Sequence, residues 1–141
     1  MTCSCATKQV YSSDKGPKAI GPYSPAVKAG GLVFISGQLG LDPASGNLVE
    51  GGVEAETRQS LTNVKNLLEA AGASLEQVTK TTVFLRDIND FQKMNAIYAG
   101  FFTSDPPARS AVQVAALPKG GAVEIEVLAV VGCCCEDHGQ K

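Results

Sequence analysis

The chain reads as a single α+β domain with the element order β-β-β-α-β-α-β-β, and three observations predict it. Two long segments carry apolar residues at helical spacing. Six shorter, β-rich runs are bounded by Gly and Pro turn signals. A length of 141 residues, with no repeat and no internal linker, suits one core and is too short for two.

The elements follow in order. Lys8–Ser12 reads as a short first strand. In the stretch Gly16–Pro25, each proline pushes its predecessor toward extended geometry. Ala26–Ala29 then pairs with Leu32–Ser36 across Gly30-Gly31, a turn that tolerates positive φ. Asp42-Pro43-Ala44-Ser45-Gly46 is a turn, and Glu50-Gly51-Gly52 leads into a helix. That helix aligns Val53, Thr57, Leu61, Val64, Leu67, Leu68 and Ala71 on one face, with Gly72 as its cap. Val78–Leu85 is the fourth strand. A second helix over Ile88–Phe102 puts Phe91, Met94, Tyr98, Phe101 and Phe102 on one side. The last two strands, Ala108–Leu117 and Ala122–Val131, are joined by the turn Pro118-Lys119-Gly120-Gly121.

If those last strands form a hairpin about Lys119-Gly120, Ala115 lies opposite Glu124 and Arg109 opposite Val130. Alternation then gives an apolar face of Ser110, Val112, Val114, Ala116, Val123, Ile125, Val127 and Ala129, covered by the two helices. The other face carries Arg109, Ala111, Gln113, Ala115, Glu124, Glu126, Leu128 and Val130, with no helix left to cover it. Burial against another subunit is the expectation. This register separates Arg109 from Glu124 by roughly 20 Å within one chain. A site using both would combine residues of two subunits.

Composition excludes several classes of function. No apolar run reaches the ~20 residues that span a bilayer. A formal net charge of −2 supplies no basic field for nucleic acid. The five cysteines are Cys3, Cys5 and Cys133-Cys134-Cys135, so no disulfide framework crosses the body. The N-terminal segment has neither the apolar core of a signal peptide nor the arginines of a transit peptide. A cytoplasmic protein is expected, ordered over about residues 7–132 with flexible tails at 1–6 and 133–141. Adjacent cysteines cannot all readily ligate one ion, so no metal site is expected in the tail.

The residues able to carry chemistry are few. His138 is the only histidine and lies in the tail, which argues against Ser-His-Asp and Cys-His machinery. Proton transfer falls to Glu124, Glu126 or Tyr23. Arg109 has a fork suited to a carboxylate, or is an exposed arginine at a strand start. Glu124 orients a water or holds a proton, or is a charge on a solvated face; Glu126 reads as an interface ion-pair partner. Tyr23, Ser36 and Asn95 read equally as a packed loop aromatic, a strand-end serine and a hydrogen-bonding helix residue.

The run from Pro107 through Arg109-Ser110-Ala111 to Leu117, followed by Val123-Glu124-Ile125, resembles the RidA/YjgF reactive-intermediate deaminases, also labelled L-PSP endoribonucleases. Ile20-Gly21-Pro22-Tyr23, Ile35-Ser36-Gly37-Gln38, Arg58-Gln59-Ser60-Leu61, Lys80-Thr81-Thr82-Val83-Phe84 and Asn89-Asp90-Phe91 are similar to further blocks of that family. The resemblance implies a chorismate-mutase-like subunit with two helices on one face of the sheet, assembled as a homotrimer with intersubunit clefts. It implies hydrolysis of enamines and imines, such as 2-aminoacrylate, to 2-oxo acids and ammonia without a cofactor. By the same resemblance Arg109 holds the substrate carboxylate and Glu124 positions or activates water. Tyr23, Ser36, Asn95 and the backbone of Ala111 line the pocket, and Ala111 replaces a cysteine found in some members. The competing expectations are RNA cleavage with translation inhibition, and a non-catalytic trimer that binds small carboxylates or acts as a holdase.

Overall fold

Strand pairing decides where the polar side chains of this chain end up. The computed structural model describes residues 7–132. The expected tails, with all five cysteines and His138, fall outside them. Strands β1 (Gln9–Tyr11), β2 (Ala26–Ala29) and β3 (Leu32–Leu39) form an antiparallel meander. Helix α1 (Gly52–Ala70), β4 (Val78–Leu85), α2 (Phe91–Phe101), β5 (Ala108–Gln113) and β6 (Val123–Val130) follow, in the order expected. All six strands join one sheet, ordered β1-β2-β3-β6-β4-β5.

The expected β5–β6 hairpin does not form. Strand β4 lies between the two, antiparallel to β6 and parallel to β5. The turn at Lys119 is real, with a left-handed φ of 57°, but β5 leaves the sheet after Gln113. Strand β6 instead pairs on both sides, with β3 and β4. The crossover through α2 brings β5 alongside β4, as a parallel pair requires.

Pairing with β4 also exchanges the faces of β5. Arg109 is level with buried Thr81 and lies on the helix side, where Ala111 packs against the core. Ser110 and Val112 turn to the bare side, opposite to expectation. The faces of β6 are as expected: Val123, Ile125, Val127 and Ala129 are buried, and Glu124, Glu126, Leu128 and Val130 look away from the helices.

The core joins those β6 residues to Val33, Ile35, Val83 and Leu85 of the sheet. From the helices come Leu61, Val64, Leu67, Leu68, Met94 and Tyr98. Each large aliphatic buried this way contributes roughly 1.5–3 kcal/mol, so the sheet and both helices are bound into one unit.

Polar groups of α1 then fix the end of β3. The Ser60 hydroxyl donates to the Gln38 carbonyl at 2.6 Å, and Asn63 Nδ2 donates to the carbonyls of Leu39 and Leu41 at 3.3 and 3.0 Å. The buried Glu56 carboxylate accepts the Ala122 N–H at 2.9 Å, just before β6. Gly40 permits this packing, because a Cβ there would lie 2.6 Å from the Glu56 Cα.

Candidate active site

Glu124 stands in a cleft of about 400 Å³ at the end of the bare face. The β1–β2 connection supplies Lys18, Ile20 and Tyr23 to its wall, and β3 supplies Ser36, Gly37 and Gln38. A β-bulge between Ile35 and Gln38 shifts the β3–β6 register here, which turns the β3 backbone toward Glu124. The Ser36 hydroxyl donates to the Ser24 carbonyl at 2.7 Å, and the Ser36 N–H to the Pro25 carbonyl at 3.0 Å. Gln38 Nε2 donates to the Ser36 carbonyl at 3.0 Å. Tyr23 folds back on its own loop and accepts the Ile20 N–H at 3.2 Å.

Gly37 leaves the room that the Glu124 carboxylate occupies. A Cβ on it would lie 2.8 Å from the Glu124 Cδ and collide with the carboxylate oxygen. Desolvation, and secondarily repulsion by Glu126, holds the Glu124 carboxyl above the ordinary range of a glutamate. A carboxyl raised in this way exchanges protons with a ligand closer to neutral pH.

Arg109 occupies a different environment. It lines a second cleft of about 400 Å³ with Asn95, Tyr98, Ala99, Phe102, Pro106 and Pro107. Its guanidinium carbon lies 4.7 Å from the Tyr98 ring centroid and 5.5 Å from that of Phe91. Stacking leaves its N–H edges for a planar anion. The Asn95 side-chain oxygen in this cleft is buried without a hydrogen-bond partner.

The residues singled out in the sequence therefore fall into two groups. Tyr23, Ser36 and Glu124 share one cleft, and Arg109 and Asn95 the other. Ala111 lines neither; it is level with Val83, its side chain against the core. Arg109 and Glu124 are not spaced along one hairpin as expected. They lie two strands apart and three residues out of register, about 10 Å in each direction, on opposite faces.

Sequence reasoning missed Gly37 and Tyr98 as parts of these groups. The signal for Gly37 was a glycine inside a strand, which marks close approach of another group. Tyr98 sat at helical spacing and in a block similar to one of the family's, with no role in the site assigned to it.

Residues 13–131 match the family model described as Endoribonuclease L-PSP. The chain is 55% identical over 129 residues to the 2-iminobutanoate/2-iminopropanoate deaminase of Bos taurus, covering 92% of this chain and 94% of the relative. The solved structure of RidA from an Antarctic Psychrobacter is 49% identical, with a TM-score of 0.84 over 87% of this chain and 99% of that one. E. coli TdcF with bound serine is 42% identical, with a TM-score of 0.83 over 86% of this chain and 98% of that one. The α+β architecture and the sequence agree: the chain belongs to the RidA/YjgF family of reactive-intermediate deaminases.

Proposed function

We infer that this chain is a hydrolytic imine deaminase, with 2-iminopropanoate and its enamine tautomer 2-aminoacrylate among its substrates. The observation that carries this reading is Glu124, a half-buried carboxyl with an upward-shifted pKa, standing in a cleft beside Tyr23 and Ser36. An imine is already electrophilic, so its hydrolysis needs orientation, one water and a proton carrier. Water adds to the imine carbon while the Glu124 carboxylate takes a proton. The same carboxyl returns that proton to nitrogen, giving a carbinolamine; it then moves the hydroxyl proton to nitrogen as the C–N bond breaks, so that ammonia leaves and the 2-oxo acid remains. Arg109 grips the substrate carboxylate through two N–H bonds, with Asn95 beside it and the Ala111 backbone two residues along the same strand. The names of the deaminase relatives, and the serine held by TdcF, support a small α-carboxylate ligand.

The assembly belongs to the same reading. Leu32, Phe34, Val112 and Val130 remain exposed on the bare face, enough apolar surface to require a partner. A homotrimer packed through this face and the adjoining β5 edge would bring Arg109 and Asn95 of one copy toward Tyr23, Ser36 and Glu124 of the next. Among the described residues no helix is long and apolar enough to cross a membrane. The cysteine-free body fits a reducing cytoplasm.

The test is a coupled assay that generates 2-aminoacrylate from serine with a pyridoxal-phosphate dehydratase and follows pyruvate release. The parent protein accelerates release, and Arg109→Ala lowers kcat/KM by roughly 10²–10⁴. No acceleration by a folded parent would instead favour a carboxylate-binding module. The family description supports RNA cleavage as a second reading, and cleavage lost in Glu124→Ala after stringent purification would establish it.

A further inference from the structure

We propose that Tyr98, clamped by Thr81, is a positioning residue that fixes the orientation of the Arg109 guanidinium. The proposal rests on the reading of Arg109 as the carboxylate clamp. A ring face attracts a cation through its quadrupole and occupies none of its N–H donors. A solvated arginine gives up rotamer freedom when it grips an anion. Two rings, 4.7 and 5.5 Å from the guanidinium carbon, remove much of that freedom beforehand. The fork then meets a planar pair of carboxylate oxygens in a prepared direction.

Tyr98 can serve this purpose because it is itself immobilised. Its side chain is 6% exposed, its hydroxyl is hydrogen-bonded to Thr81 Oγ1 at 2.8 Å, and its ring centroid lies 4.7 Å from that of Phe102. Thr81 is fully buried and is the register partner of Arg109 across the β4–β5 pair. One rung of the sheet therefore carries both the arginine and the hydroxyl that anchors its stacking ring. Burial pushes the Tyr98 phenol up despite the Thr81 hydrogen bond and the Arg109 charge, so the ring stays neutral at physiological pH.

The experiment measures pyruvate affinity by calorimetry, KM and kcat in the coupled assay, and the Arg109 Nε–Hε resonance by NMR. In Tyr98→Leu, pyruvate Kd and KM rise roughly tenfold with little change in kcat, because the lost interaction is shared by ground and transition states. The double variant Tyr98→Phe with Thr81→Val keeps the ring but removes the hydrogen bond that anchors it, and raises Kd by about threefold, less than Tyr98→Leu does. The Arg109 resonance is displaced by ring currents in the parent and moves toward a free-arginine position in Tyr98→Leu, where only the Phe91 ring remains.

A folded Tyr98→Leu protein with parental Kd and an unmoved resonance would overturn the proposal. If that variant fails to fold, an undisplaced resonance in the parent overturns it alone. Arg109→Ala separates the two claims. Parental pyruvate binding there removes the clamp and the positioning role together, whereas binding lost there but kept in Tyr98→Leu removes only the positioning role.

Discussion

Arg109 and Glu124 lie on strands separated only by β4, yet the sheet treats their charges in opposite ways. On the helix side, the cation lies against two aromatic faces. On the bare side, desolvation and the neighbouring Glu126 make the Glu124 anion costly and its proton easier to keep. On the proposed reading one centre binds an anion and the other passes a proton. Within one chain the two lie on opposite faces, about 10 Å apart both along and across the sheet, so on the proposed reading activity would depend on assembly.

The strongest way to break the comparison is to disable each centre in separate copies. Arg109→Ala and Glu124→Gln each lose roughly 10²–10⁴ in kcat/KM alone. When the two inactive proteins are unfolded together and co-refolded, about a quarter of the interfaces pair an intact Arg109 with an intact Glu124 by random mixing. Pyruvate release should recover in proportion. A mixture as inactive as its components would place the whole site in one copy.

Next in size is Phe34→Asp, at a position 45% exposed on the bare face. Burying an unpaired carboxylate against a second copy costs several kcal/mol, so association weakens by roughly 10²-fold or more. Sedimentation should show monomers, with activity falling alongside.

A smaller effect tests the carboxylate cleft by itself. Gly37→Ala sets a methyl group 2.8 Å from the Glu124 Cδ, overpacking that costs about 1–3 kcal/mol. Thermal unfolding should move down and kcat should fall, while the resonance of Arg109 stays in place.

The smallest effect is on stability. A carboxyl whose folded pKa lies above its unfolded value contributes stability that is complete below the unfolded pKa and lost as pH rises through the folded one. Glu124 is such a group. Glu124→Gln should therefore raise Tm relative to the parent at neutral pH, with the advantage shrinking toward pH 4. An equal Tm difference at both pH values would remove the desolvation argument.

Much of this organisation was legible because charge inside an apolar strand is conspicuous. Arg109 and Glu124 interrupt small and β-branched residues, and Tyr23 and Ser36 sit in short blocks rich in turn residues. Helix α1 was legible through Val53, Leu61, Val64, Leu67 and Leu68, all buried as their spacing demands. What local pattern could not supply was the partner of β5. Pro118-Lys119-Gly120-Gly121 does make a turn, and a turn between two β-rich runs reads as a hairpin. The choice of β4 as neighbour depends on α2 packing across the sheet, a long-range event. With that neighbour unknown, the side of the sheet holding Arg109 was unknown too, and so was the second use of Tyr98.

The margins of the sheet have one more consequence, for solubility. A sheet of six strands exposes two edges, here β1, three residues long, and β5, six residues long. Unpaired edge strands invite strand addition from other molecules. The approach to β5 is Pro106-Pro107, neither of which has an N–H to offer. The same dipeptide walls the Arg109 cleft, so the segment that shapes that cleft also limits how far a strand added at this edge could extend.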